Sequence, residues 1–245
     1  MTIDRRFALP TAALSVGLLL AGCSAVGGHP KVATADAVVK EAVTSVEVGH
    51  ARSGSIDIRA GDGPGVVIHR TVHYRGSAEP TPSQQVDGGV LTFTDGCGEC
   101  WIDYELTVPA SAAVKLSSSS GRIAVAGVAS AEVRTSSGAV RVERIAGPLR
   151  IETSSGSITG SALSSPRADI RSSSGSARLD FAKAPVSVSA DSSSGSLTLK
   201  VPGGPYKVDV TTSSGRREVA VPSSPSATAT LTAKTSSGDV EITAA

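Results

Sequence analysis

Residues 149–160 read LRIETSSGSITG, and the rest of the chain can be organised around that stretch. Its tetrapeptide, Ser or Thr followed by Ser-Ser-Gly, occurs seven times after residue 115. The copies close at Gly121, Gly138, Gly156, Gly175, Gly195, Gly215 and Gly238, at intervals of 17, 18, 19, 20, 20 and 23 residues. A period of this size belongs to solenoids, in which each unit is too small to bury its own apolar face and stacks on the next.

Aligning the seven units on the Gly exposes the strand pattern. Five positions before it stand Leu116, Val133, Ile151, Ile170, Ala190, Val210 and Ala233, and the position seven before it is also always apolar. Two and four positions after it the residues are apolar again, except for Arg217 and Gly160. A period of two on each side of the Gly means a strand with one buried face. The buried positions nearest the tetrapeptide are seven apart, an odd number, so a straight strand would turn its core side to water. The tetrapeptide is therefore expected to be a corner, with Gly supplying unusual backbone angles. The fold class that follows is all-β: a parallel β-solenoid over residues 111–245, with two short strands per coil. Successive coils stack at about 4.8 Å, so seven make a rod about 30 Å long.

Composition agrees with thin aliphatic layers. The 245 residues are 40% hydrophobic, yet only seven are aromatic. Four positions before the Gly, Arg134, Glu152, Arg171 and Asp191 alternate in sign along successive coils, an arrangement that sets register more than stability. The stacked hydroxyls of the tetrapeptides are expected to bond corner backbone groups. They also offer a regular polar edge to a glycan, a cell-wall polymer or ordered solvent. The last unit, ending Asp239-Val240-Glu241-Ile242, is expected to form the open edge of the stack, guarded by Asp239 and Glu241.

The chain opens with an address. Arg5 and Arg6 precede an apolar run from Phe7 to Leu20 that closes on Leu20-Ala21-Gly22-Cys23. This pattern resembles the signal of bacterial lipoproteins, which implies that residues 1–22 are removed and Cys23 carries a diacylglycerol. Residues 23–43 are then a lipidated Cys and flexible tether, and the protein is extracytoplasmic, held to a bacterial membrane through Cys23. Without residues 1–22 the basic and acidic counts are 23 − 2 = 21 and 22 − 1 = 21. A neutral chain excludes nucleic acid as the default partner.

Residues 44–110 lack the tetrapeptide and hold four of the seven aromatics, Tyr74, Phe93, Trp101 and Tyr104. They read as a small antiparallel β cap over one end of the solenoid, or as a separate module binding a ligand through Trp101 and Tyr104. Cys97 and Cys100 fit a local structural disulfide in an oxidising compartment. A redox dithiol wants a helix N-terminus that this stretch does not suggest. Zinc would need His69 and His73, which a strand holds about 13 Å apart on one face. No metal or cofactor is expected.

The repeated Thr-Ser-Ser-Gly-x-Val-x-Val, the segment Trp101-Ile102-Asp103-Tyr104-Glu105-Leu106-Thr107-Val108-Pro109 and the stretch from Leu179-Asp180-Phe181 to Val201-Pro202-Gly203-Gly204-Pro205-Tyr206 together resemble one group. It is the bacterial family of β-strand-repeat proteins of unknown function often labelled "putative adhesins". The resemblance covers residues 44–245. Many members carry an Asp after the corner Gly; here only Gly238-Asp239 keeps it. The resemblance implies no catalytic residues, and the chain lacks the paired carboxylates or nucleophile setting of a hydrolase. The function expected is therefore a non-enzymatic surface lipoprotein, an adhesin or envelope scaffold that contacts cell-wall polymer, glycan or an envelope protein. The alternative is an envelope-stress sensor or accessory module, binding a peptide or small ligand through residues 44–110.

Overall fold

A computed structural model describes residues 30–245, so the signal, Cys23 and the start of the tether lie outside the described residues. The first strands are β1 (Lys31–Thr34), β2 (Ala37–Val39), β3 (Ser45–Ala51), β4 (Ile56–Gly61), β5 (Val66–Tyr74), β6 (Ser83–Asp87), β7 (Val90–Thr94) and β8 (Cys100–Pro109). The repeats follow as β9 (Ala113–Ser118), β10 (Ile123–Ala126), β11 (Ser130–Thr135), β12 (Val140–Glu143), β13 (Leu149–Thr153), β14 (Ile158–Leu163), β15 (Arg167–Ser172) and β16 (Ala177–Phe181). The chain ends with β17 (Ser187–Ser194), β18 (Leu197–Val201), β19 (Lys207–Ser214), β20 (Arg217–Ala220), β21 (Thr230–Ser237) and β22 (Val240–Ala244). Among the described residues there is no helix; the protein is all-β, a parallel solenoid of two facing sheets.

The apolar columns pair rung on rung. Val133 faces Ile151, Ile151 faces Ile170, and Ile170 faces Ala190 in one sheet; Ile123 faces Val140 and Val140 faces Ile158 in the other. Ile151, Ile170, Val133 and Val142 are completely buried. The growing interval between units lies in the second bend of each coil, where Val128, Ile145 and Leu163 turn into the core with no exposed surface. Gly160, which breaks its column, does so because Leu163 fills the space. A Cβ on Gly160 would lie 2.8 Å from Leu179 and 2.9 Å from Leu163.

The corner glycines have a different reason from the one expected. Only Gly215 and Gly238 have positive φ, near the extended limit. The requirement is contact: a Cβ on Gly156 would sit 2.0 Å from the carbonyl oxygen of Gly138, and one on Gly138 equally close to that of Gly121. Neighbouring corners touch backbone to backbone, leaving no room for a methyl group. The hydroxyl three residues earlier completes the corner. Gly138 N–H donates to Thr135 Oγ1 at 3.1 Å, and the same bond recurs from Gly156 to Thr153 and from Gly175 to Ser172.

Both ends of the stack depart from sequence order. Strands β3 and β4 form a regular coil of the same kind, pairing in parallel with β9 and β10. Its corner is Ala51-Arg52-Ser53-Gly54, and a one-residue bulge between Val48 and Ala51 shifts its columns. Outside it lies a further coil made of β7 and β8, also parallel to β3 and β4. The antiparallel part of the cap is smaller than expected: β5 closes on β8, β1 and β2 close on β5, and β6 closes on β7. The segment expected as tether is therefore structured from Lys31 on, with Val39 and Val43 in the core.

At the other end, the last coil of the chain is not the last coil of the rod. Strand β21 lies between β17 and β19, and β22 between β18 and β20. The open edge thus belongs to β19 and β20, not to the segment with Asp239 and Glu241. Arg217 supplies the reason. It occupies a core column, and a guanidinium sandwiched between two coils would be buried without a carboxylate. On the outermost rung it reaches solvent, donating to Val210 O at 3.2 Å, while Leu231, Ala233, Val240 and Ile242 become fully buried.

Candidate functional site

Three surfaces stand out. The first is the corner edge of the rod. Two serines precede each corner Gly, from Ser119-Ser120 through Ser136-Ser137, Ser154-Ser155 and Ser173-Ser174 to the far end, and all are exposed. Their backbones are joined between rungs, as in Ser155 N–H to Ser136 O and Ser174 N–H to Ser154 O, both 2.8 Å. The result is a flat double column of hydroxyls across seven rungs, about 29 Å long. Beneath it the buried hydroxyls of Thr135, Thr153 and Ser172 are committed to the corner, so only the outer two columns remain available.

The second is the charged face beside that edge. The expected column is present, with Arg134 Nε on Glu152 Oε2 at 2.9 Å and Arg171 Nη1 on Glu152 Oε1 at 3.7 Å. A second column, which single-column reading missed, runs Glu47, Lys115, Glu132, Arg150 and Asp169 in spatial order. The two columns alternate out of phase, so Glu132 and Arg134, Arg150 and Glu152, and Asp169 and Arg171 stand beside opposite charges both along and across the sheet. Arg150 bonds Glu152 at 2.9 Å and approaches Asp169 at 3.6 Å. Hydrogen bonds from Arg150 and Arg134 hold the Glu152 carboxyl below its usual pKa. The field of such a face cancels within a Debye length, so it selects no single-sign partner. Between it and the serines runs a shallow groove of about 370 Å³, lined by Arg134, Ser136, Glu152, Ser154, Arg171 and Ser173.

The third is the N-terminal end. A disulfide joins Cys97, in the loop after β7, to Cys100, the first residue of β8, at the corner between the two strands of that coil. Arg52, from the neighbouring corner, donates to Gly98 O at 2.7 Å. Trp101 is half-buried and stacks on His73, ring centroids 5.0 Å apart and 5° from parallel. Tyr104 is not a surface ligand residue. It is 1% exposed and packs edge-on against Phe93, and burial pushes its phenol well above the usual range. The reason is parity: Trp101 and Tyr104 are three apart on one strand, so they point to opposite faces.

Asp103 ties this end together. Its Oδ1 accepts from Ser55 N–H at 2.6 Å and Ser55 Oγ at 2.8 Å, and its Oδ2 meets His73 Nε2 at 2.8 Å. Burial works to raise the Asp103 pKa, but these bonds outweigh it and hold the group below the ordinary value. The carboxylate stands between Ser55 and His73, so the histidine is not placed to take the serine proton, as a nucleophile–base pair requires. His69 and His73 do not converge; each has its own carboxylate, Asp36 at 3.3 Å and Asp103. Among the described residues no group of three or more His, Cys, Asp or Glu is arranged to hold a metal ion.

The sequence profile of the Toastrack DUF4097 family matches residues 40–244, nearly the whole described chain. The protein belongs to that family. Among solved structures, a "putative adhesin" from Bacteroides fragilis has 12% identity and a TM-score of 0.50, covering 88% of this chain and 97% of its own. That likeness establishes the shared fold. A "putative adhesin" from Parabacteroides merdae aligns at 14% identity and a TM-score of 0.41, over 86% of this chain and 96% of its own. A "putative cell adhesion protein" from Clostridium sporogenes aligns at 10% and 0.37, over 88% and 100%. No curated protein matches. The Toastrack chain is thus a β-solenoid of a family without an assigned catalytic activity.

Proposed function

We propose that this Toastrack protein is a non-catalytic display rod, anchored outside the cytoplasm by lipidated Cys23, whose serine edge contacts an extended envelope polymer such as cell-wall glycan. The observation that carries this reading is the exposed double column of serines, repeated over seven rungs in one register. A linear polymer lying along the rod meets the same pair of hydroxyls at each step. Many weak, identical contacts then add along one molecule, as in multivalent binding. The Leu20-Ala21-Gly22-Cys23 signal supports the location. The description of the Bacteroides fragilis relative as an adhesin agrees with a surface role.

The test is co-sedimentation of the protein with isolated cell-wall sacculi. A variant with Ser137, Ser155 and Ser174 changed to Arg interrupts three successive rungs without touching the core, and should bind at least about tenfold more weakly. Equal retention of parent and variant, or no retention of either, sinks the reading.

A further inference from the structure

The intercalated coil does more than hide an apolar rung behind Arg217. Residues 230–244 are the last structured part of the chain, yet they fill a slot between the coil of β17 and β18 and the coil of β19 and β20. The stretch 221–229 leads into this segment and holds Pro222 and Pro225 and no strand. That stretch is held near both ends: Tyr206 N–H donates to Pro222 O at 3.0 Å and Ser224 N–H to Tyr206 O at 2.9 Å, and Lys207 N–H donates to Ala229 O at 2.8 Å.

The slot is specific. Its walls are Val188, Ala190, Leu197 and Leu199 on one side and Val208 and Val210 on the other, all in the repeat columns. An occupant must offer two strands in that register, a hydroxyl at the corner, and a cation opposite Asp191, which Lys234 supplies. Leu231, Ala233, Thr235, Val240 and Ile242 meet those demands, and the same residues of a second copy would meet them equally. Each ladder pairing that one molecule gives up is remade in the other, so the exchange costs the bonds and conformation of the connection and the entropy of bringing two molecules together. Nine extended residues reach about 30 Å, enough to cross between two rods meeting at their C-terminal ends.

We infer that residues 230–244 are an exchangeable coil, through which two copies of this chain join by each donating it to the other's slot. This does not rest on the polymer reading. The test uses two full-length chains with Cys23 changed to Ser, one carrying Asp191→Cys and the other Lys234→Cys. These positions pair across β17 and β21, within disulfide reach only when the coil of one molecule sits in the slot of the other. Refolding the two together should yield a covalent heterodimer on non-reducing gels, at least tenfold above the yield when they are folded apart and then mixed. Replacing Asp191→Cys by Lys183→Cys, on an exposed loop, should abolish it. Monomers alone, or equal crosslinking with Lys183→Cys, overturns the inference. So does crosslinking of Asp191→Cys to a different protein in cells while the Lys234→Cys pairing fails, since the slot would then take a foreign strand.

Discussion

The two ends of the rod finish the same stack by opposite means. At the N-terminal end the core is thick: Tyr104, Phe93 and Tyr74 join it, four strands close on it in antiparallel fashion, and a disulfide holds the outermost corner. At the C-terminal end nothing is added. The chain instead reorders its coils so that the rung with Arg217 faces solvent, and strand β20 is exposed along its whole length. An open solenoid end can thus be covered by building over it or by placing its most polar coil there.

The interior sets the scale against which both ends are measured. Gly156→Ala puts a methyl group 2.0 Å from a backbone carbonyl fixed by ladders on both sides. It should cost more than about 4 kcal/mol or prevent folding. Gly49→Ala, with nothing within 4 Å, should change stability by less than about 0.5 kcal/mol. Denaturant melts of the two variants decide it; equal midpoints would mean that the corners do not touch. Between the ends the contrast is smaller but still clear. Leu106→Ala, at a fully buried position under the cap, should cost about 2–5 kcal/mol. Val208→Ala, half-buried on the outer rung, should cost under about 1 kcal/mol. Similar losses would show that the C-terminal coil is packed as tightly as the cap.

The interior was legible because its columns repeat. All seven corners, both strands of each unit and the pairing of Arg134, Glu152 and Arg171 follow from alignment on the Gly. The eighth corner, Ala51 to Gly54, was hidden by three changes: Ala51 replaces the hydroxyl, Arg52 replaces the first Ser, and one inserted residue shifts the preceding columns by one. The order of the end coils could not be read from columns at all, since every coil offers the same ones to its neighbours. The pointer was the one charged misfit, Arg217, whose charge fits only an outermost rung. At the candidate site, the serine edge was readable from the repeat. The cluster of Asp103, Ser55 and His73 was not, because it joins β5, β8 and the residue before β4, whose pairing has no repeating signature.

Arg217→Val tests the C-terminal solution directly. The substitution restores an apolar core column on the open rung, beside Val219, which is already 37% exposed. Stability of the isolated chain should change by under about 1 kcal/mol. The larger consequence is an uncharged apolar edge, so the variant should self-associate more than the parent in sedimentation at equal concentration. Unchanged sedimentation would mean that Arg217 does not guard the end.

A small effect at the N-terminal end is present near neutral pH and disappears in acid. Asp103 has a folded pKa below its unfolded value of 3.8, so its bonds to Ser55 and His73 add stability that is complete above that pH. The contribution fades as pH falls through the folded value, where the carboxyl is protonated in both states. Because the side chain is about one-third exposed, the contribution is discounted for solvent to about 1 kcal/mol. Asp103→Asn should therefore melt earlier than the parent at pH 6, and the gap should close below pH 3.8. A gap that persisted in acid would assign the loss to packing around Ser55 and His73 and not to the carboxylate charge.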